Sequence, residues 1–391
     1  MEYYSRYIKQ FIEKSLKNFP VTAVLGPRQC GKSTLVKQII KEKTAVKKKE
    51  CLYLDLERPS DLSKLENAEW FLSRQKEKLI CIDEIQRKPE LFPLIRSLVD
   101  EWNSSGCFII LGSASRELLK QSSESLAGRI SYRRLTPFLW NEIEKKHAFE
   151  QYFSRGGFPR SILASNEDSY QWRLDFISTF LERDLLQWKD IAPATIGRLW
   201  RMLSHVNGQT INYTTLANSL DISAVSVKNY IELLASTYMV EIIQPWFSNI
   251  GKRLVKAPKV YIADSGITAA LLGIRSYEEL FNHSVFGAIW EQIVISNIRG
   301  WYPNAQIFYY RTSNGSEADF VINIDGNVYV IECKASLNPS LSKGNYLAIE
   351  DIAPKHTFVA IPSKEGWPFK KDIDVVSLDE LHKKLILFNR I

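Results

Sequence analysis

Gly26, Pro27, Arg28, Gln29, Cys30, Gly31, Lys32 and Ser33 fit the pattern G-x-x-x-x-G-K-[ST], and Thr34 follows. Glycines at the two ends of such a loop let the backbone curl until its N–H groups face a bound phosphate. A lysine at this spacing reaches the β- and γ-phosphates of a nucleoside triphosphate, and the serine hydroxyl is a ligand for Mg2+. The chemistry requires a strand before the loop and a helix after it. Residues 21–26, VTAVLG, are a β-branched apolar run that reads as a buried strand, and LVKQIIKEK at 35–43 reads as a helix. ATP and Mg2+ are therefore the expected ligands.

A second buried strand should end in acids, and LICIDE at 79–84 does so. Asp83 is expected to hold Mg2+ through water, and Glu84 to orient and deprotonate the attacking water. A third apolar run, FIILGSAS at 108–115, ends in Ser113 and Ser115. A hydroxyl there either senses the γ-phosphate or caps the next helix, and both readings stand. Arg129 in LAGRI is either a finger that neutralises transition-state charge or an arginine in a surface salt bridge. As a finger it would act from the same chain or from a neighbouring subunit of a homo-oligomer.

The strand-like runs CLYLDL, KLICID and CFIILGS alternate with helical patterns such as PELFPLIRSLVDEWNS, which predicts an α/β parallel sheet with helices on its faces over residues 20–115. The Lys-rich segment at 41–50 reads as a solvated loop. GPRQCGKSTL, LICIDEIQ, ILGSAS, LAGRI…LTPF, YFSRGGFP, FLERDLL, FSNIGKRLVKAPKVYIADSGI and GSEADFVI…YVIECK follow one another along the chain. In that order they resemble the bacterial and archaeal AAA-type ATPases that carry a C-terminal domain of unknown function. The resemblance covers nearly the whole chain. It implies an ATP-binding P-loop protein with Lys32, Ser33, Asp83 and Glu84 in the roles given above.

Residues 212–235, NYTTLANSLDISAVSVKNYIELLA, have the spacing of a helix-turn-helix, with Leu216, Ala217, Leu220, Ile222, Val227, Ile231 and Leu234 as its core. Ser223, Ser226, Lys228 and Asn229 remain for contacts with nucleic acid, DNA rather than RNA. Lys252, Arg253, Lys256 and Lys259 follow without an intervening acid, which suits a phosphate-facing edge. The alternative is a winged-helix module that serves only as a spacer or lid.

Asp319 and the run Glu332-Cys333-Lys334 have the arrangement of a PD-(D/E)xK nuclease core, in which a helix precedes a three-stranded meander. Strand alternation puts Glu332 and Lys334 on one face and Cys333 in the core. Asp319 and Glu332 are expected to bind Mg2+ for phosphodiester hydrolysis, with Lys334 placing water or steadying charge and Glu291 or Glu317 adding an acid. The alternative is an inert nuclease fold, and Glu317-Ala318-Asp319 lacks the leading proline of the motif.

The expected architecture is an AAA-type P-loop ATPase domain at 1–140, a helical lid or linker at 141–205, a winged helix-turn-helix at 206–265 and a nuclease-like α/β domain at 266–391. Composition bounds rather than directs this reading. Lys plus Arg number 51 against 44 Asp plus Glu, and a net +7 on 391 residues argues for nucleic acid only where it clusters. The five cysteines and five histidines are scattered without metal-ligand spacing. No apolar run approaches the roughly 18–20 residues of a membrane span, and the start MEYYSRYIKQ has no signal-peptide core, so a cytoplasmic location with no membrane partner is expected.

Overall fold

Apolar residues fill the runs at 21–25, 79–83 and 108–112 with little polar alternation, a pattern suited to strands covered on both faces. The computed structural model describes residues 3–47, 50–112, 122, 124–185, 192–247 and 255–389. In it these runs are β1 (Val21–Leu25), β3 (Leu79–Asp83) and β4 (Phe108–Gly112), buried throughout. β2 (Cys51–Asp55) and β5 (Ile130–Arg134) lie at the edges and are mostly half-buried. The described strands pair in parallel in the order β2-β3-β4-β1-β5. Parallel pairing gathers the carboxyl ends of β1, β3 and β4 on one edge, where open α/β sheets bind ligands. β4 separates the strand that leads into the loop from the strand that ends in Asp83.

α1 (Lys9–Asn18) and α2 (Lys32–Lys47) flank β1 in sequence. Residues 41–47, expected as loop, continue α2, because lysine and glutamate are good helix formers. α3 (Leu91–Trp102) turns Leu91, Phe92, Ile95, Leu98, Val99 and Trp102 inward at helical spacing. The Trp102 ring stacks on Phe108 of β4 with 5.5 Å between centroids. The chain divides into two compact units, Met1–Pro137 with Ser236–Tyr238, and Phe138–Ala235 with Met239–Ile391. The stretches expected as helical lid, winged helix-turn-helix and nuclease-like domain lie in the second unit, apart from Ser236–Tyr238.

That unit opens with helices, among them α4 (Phe149–Arg155), α5 (Asn166–Thr179) and α6 (Pro193–His205). α7 (Tyr213–Leu220) and α8 (Ala224–Ser236) bury Leu216, Ala217, Leu220, Val227, Ile231 and Leu234, while Ile222 between them stays half-buried. β6 (Val240–Pro245) and β7 (Lys259–Ile262) then form an antiparallel pair. α9 (Ser265–Leu271) and α10 (Phe286–Trp301) lead to the meander β8 (Gln306–Arg311), β9 (Glu317–Ile324) and β10 (Asn327–Cys333). α11 (Lys343–Ile352) carries the chain to β11 (His356–Ala360), which pairs parallel with β10. β12 (Trp367–Lys370), β13 (Ile373–Val376) and α12 (Leu378–Asn389) complete the unit. The described strands run β12-β13-β11-β10-β9-β8-β6-β7 across the sheet. Asp325 at φ 50° and Gly326 at φ 89° make the tight β9–β10 turn, the left-handed pair that such a two-residue hairpin needs.

Two distant motifs, YFSRGGFP and IADSGI, meet in this unit. Asp264 caps α9 by accepting from the Ile267 N–H at 3.0 Å, and its second oxygen accepts from the Gly157 N–H at 2.7 Å. A Cβ on Gly156, whose φ is +74°, would lie 2.0 Å from the Asp264 carboxylate, so the approach requires glycine. Arg173, 1 % exposed, donates to the carbonyls of Ser154 and Gly266 at 2.8 and 3.0 Å and ties the same turn to α5. Burial pushes the Asp264 carboxyl up to about 6, against the pull of its backbone donors and Arg173.

Candidate nucleotide site and acidic pocket

The loop at 26–31 leaves β1 and enters α2 at Lys32, with Gly26, Pro27 and Cys30 buried and Gln29 and Thr34 exposed. A Cβ on Gly26 would stand 2.2 Å from the Leu135 carbonyl oxygen, so the loop passes closer to that backbone than any side chain permits. Lys32, 7 % exposed, turns its ammonium back on the loop and donates to the carbonyls of Gly26 at 3.0 Å and Pro27 at 2.8 Å. Arg6 holds the loop from outside by donating to Cys30 O at 2.9 Å and to Thr136 O at 2.6 Å.

Ser33 Oγ donates to Asp83 Oδ2 at 2.7 Å, bringing together the two groups that the sequence pairs across fifty positions. The Tyr53 hydroxyl donates to the same oxygen, and the Glu84 N–H donates to Asp83 Oδ1 at 3.0 Å. Burial and the neighbouring Asp83 carboxylate hold the Tyr53 phenol well above its usual range, so it stays a donor. A hydroxyl and a carboxylate in direct contact are the hard oxygen donors that Mg2+ takes when substrate phosphates and water complete its shell. The residues fit that ion.

Glu84 has a left-handed backbone (φ 56°), and its carboxylate accepts from the Gln86 amide. Burial raises its pKa, and Lys32 and Gln86 offset this only in part. Ser113 lies outside the described residues. Arg129 is not brought to the loop. It immediately precedes β5, beside Val21 at the start of β1, and it forms a two-point ion pair with Asp100 of α3. Five strand residues separate that edge from the loop, about 16 Å. Of the two readings of Arg129 within one chain, the surface salt bridge is the one seen.

In the second unit a cavity of about 520 Å³ is lined by Lys259, Glu291, Glu317, Asp319, Glu332 and Lys334, among others. Pairing of Phe320 with Ile331 sets Asp319 opposite Glu332 on β9 and β10. Asp319 Oδ2 accepts from the Cys333 N–H at 2.9 Å, and Glu332 Oε1 from the Asp319 N–H at 3.3 Å. Lys334 Nζ stands 3.3 Å from Glu332, while Glu291 accepts from the Tyr261 hydroxyl at 2.6 Å. Burial, then the Asp319 charge, pushes the Glu291 carboxyl up to about 8 and that of Glu332 well above its ordinary value.

Lys259 belongs to this pocket and not to a basic edge. Its ammonium lies 3.2 Å from Glu317 and 3.8 Å from Asp319, with the side chain 4 % exposed. It opens β7, whose four residues are all buried, a placement that the run of neighbouring positive charges hides. Among the described residues no three His, Cys, Asp or Glu side chains form a group able to hold a metal ion. Lys252 and Arg253 lie outside the described residues, and Lys256 is exposed. Of the helix-turn-helix contacts, Ser223 caps α8 by accepting from the Ser226 N–H at 3.0 Å, and Lys228 and Asn229 are exposed. No described helix is long and apolar enough to cross a membrane.

Sequence signals for Tyr53 and Arg6 were faint. Tyr53 stands beside Cys81 on the strand next to β3, two residues short of Asp83, but only the sheet order reveals that neighbour.

Residues 18–144 match the model of an AAA domain, residues 146–278 a domain of unknown function (DUF8612) and residues 286–381 a domain of unknown function (DUF4143). The uncharacterized protein Rv2008c of Mycobacterium tuberculosis is 36 % identical over 372 residues, 95 % of this chain and 82 % of that protein. Among solved structures, Cdc6p from Pyrobaculum aerophilum aligns over 73 % of this chain and 94 % of its own at 11 % identity and a TM-score of 0.32. AMPPCP-bound DnaA from Aquifex aeolicus aligns over 58 % of this chain and 85 % of its own, at 12 % identity and a TM-score of 0.31. The chain belongs to the family of the mycobacterial protein, and it carries an AAA-type P-loop ATPase domain in its N-terminal part.

Proposed function

We propose that this chain is a Mg2+-dependent ATP hydrolase whose nucleotide state governs a nucleic-acid-directed C-terminal unit. The convergence of Lys32, Ser33, Asp83 and Glu84 at the carboxyl ends of β1 and β3 carries this reading. On ATP binding, Lys32 exchanges the Gly26 and Pro27 carbonyls for phosphate oxygens. The loop N–H groups and the amino end of α2 receive the remaining phosphate charge. Ser33 and Asp83 would hold Mg2+, which would supply positive charge against that of the phosphates. Glu84, whose raised pKa makes it a stronger base than a solvated glutamate, takes the proton of the attacking water.

The order α7, α8, then the β6–β7 pair supports a winged helix, with α8 as the helix presented to DNA. The sequence α10–β8–β9–β10–α11–β11 supports a PD-(D/E)xK core. On that basis Asp319 and Glu332 would hold the cation of a nuclease, and Lys334 would steady the charged phosphate. Among the described residues the five cysteines form no disulfide, which suits a cytoplasmic setting.

A second reading, a nucleotide-switched DNA-binding regulator or scaffold with an inert nuclease fold, is favoured by the Lys259 ammonium among the same acids. Incubating wild type, Asp319→Ala and Lys334→Ala with DNA and RNA, with Mg2+ or Mn2+ and with or without ATP, separates the two. Cleavage by the wild type that disappears in both variants is expected of the nuclease. Cleavage that persists in them, or none by the wild type, rejects it in favour of the second.

A further inference from the structure

We infer that the Lys259 ammonium occupies the divalent-cation position of the acidic pocket and keeps a metal ion out until that side chain is withdrawn. The inference rests on reading Asp319 and Glu332 as a nuclease-like pair. Lys259 is 3 % exposed, and a charge so buried requires partners of opposite sign. The ammonium stands 3.2 Å from Glu317 and 3.8 Å from Asp319, and Asp319 faces Glu332 across the strand pair. Of the carboxylate pair read above as the cation site, the ammonium meets Asp319. A dication placed among them would face a full positive charge at contact range, in surroundings that screen it poorly.

The backbone of Lys259 is fixed, paired with Ile243 of β6 and bridged to Thr210. The ammonium therefore leaves the acids by rotation of its side chain or by movement of the whole hairpin. That hairpin follows directly on α8, the helix proposed to meet DNA, so occupancy of the one has a short covalent route to the other.

Titration of the nucleotide-free full chain with Mn2+, with free Mn2+ read by electron paramagnetic resonance, tests this. Wild type and Asp319→Asn should bind Mn2+ alike. Lys259→Met should gain one site per chain at least ~100-fold tighter than wild type, and Lys259→Met/Asp319→Asn should lose it. A wild-type site that disappears in Asp319→Asn overturns the inference while leaving the nuclease-like reading in place, and this comparison stands whether or not Lys259→Met folds. A folded Lys259→Met, judged by circular dichroism, that gains no site overturns the inference and removes the metal-binding reading with it.

Discussion

Replacing Glu84 by Gln removes one negative charge from a half-buried position while nearly preserving its volume. The backbone bond from Glu84 N to Asp83 Oδ1 at 3.0 Å does not depend on the side chain and should survive. Loss of a general base costs about 10²–10⁴ in rate, or roughly 3–5 kcal/mol of barrier. The stability effect has the opposite sign. The folded carboxyl titrates above its ordinary 4.5, chiefly because of burial. Between 4.5 and that raised value the folded chain keeps a proton that the unfolded chain has lost, so stability falls as pH rises through this window. Glutamine has no proton to lose, so Glu84→Gln should be at least as stable as wild type near neutral pH. Single-turnover ATP hydrolysis, binding of a non-hydrolysable ATP analogue and thermal melts at acid and neutral pH read the three effects. The expected result is intact binding, hydrolysis down by about two orders of magnitude or more and an undiminished melting temperature. Hydrolysis within about tenfold of wild type would refute the base assignment.

Other substitutions probe the supports of the site. Gly26→Ala, which drives a Cβ to 2.2 Å from Leu135 O, should abolish ATP-analogue binding in equilibrium titration because the loop must leave its course. Asp264→Ala strands the N–H groups of Gly157 and Ile267, and at about 1–3 kcal/mol each the melt should shift down by several degrees. Arg129→Ala should leave steady-state ATP turnover within about twofold, since the arginine pairs with Asp100 away from the loop. A loss much larger than that would mean that a neighbouring subunit presents it.

The parts of the molecule legible in the sequence are those in which local pattern and burial agree. VTAVLG, LICIDE and FIILGS are apolar because the strands are covered on both faces, and the loop and acids lie at their ends for the same reason. β5 is not legible because ISYRR, an edge strand, has no apolar run and ends in two half-buried arginines. Lys259 is hidden by its neighbours in the chain. In KRLVKAPK it looks like one cation of a solvent-facing stripe, and only the pairing of β7 turns it toward Glu317 and Asp319. Asp319, Glu332 and Lys334 were legible as a set because period-two alternation fixes which side chains share a face. Tyr53 was not, because its partner Asp83 is a neighbour in the sheet and not in the chain.

The central claim is that the buried loop and the acids at the end of β3 bind and hydrolyse ATP. Steady-state ATPase activity of wild type against Lys32→Ala, with ATP-analogue binding measured on the same preparations, tests it most directly. Without the ammonium that now rests on Gly26 and Pro27, binding or turnover should fall by about 10-fold or more while the melting temperature changes little. Equal binding and equal turnover in the two proteins would contradict the account.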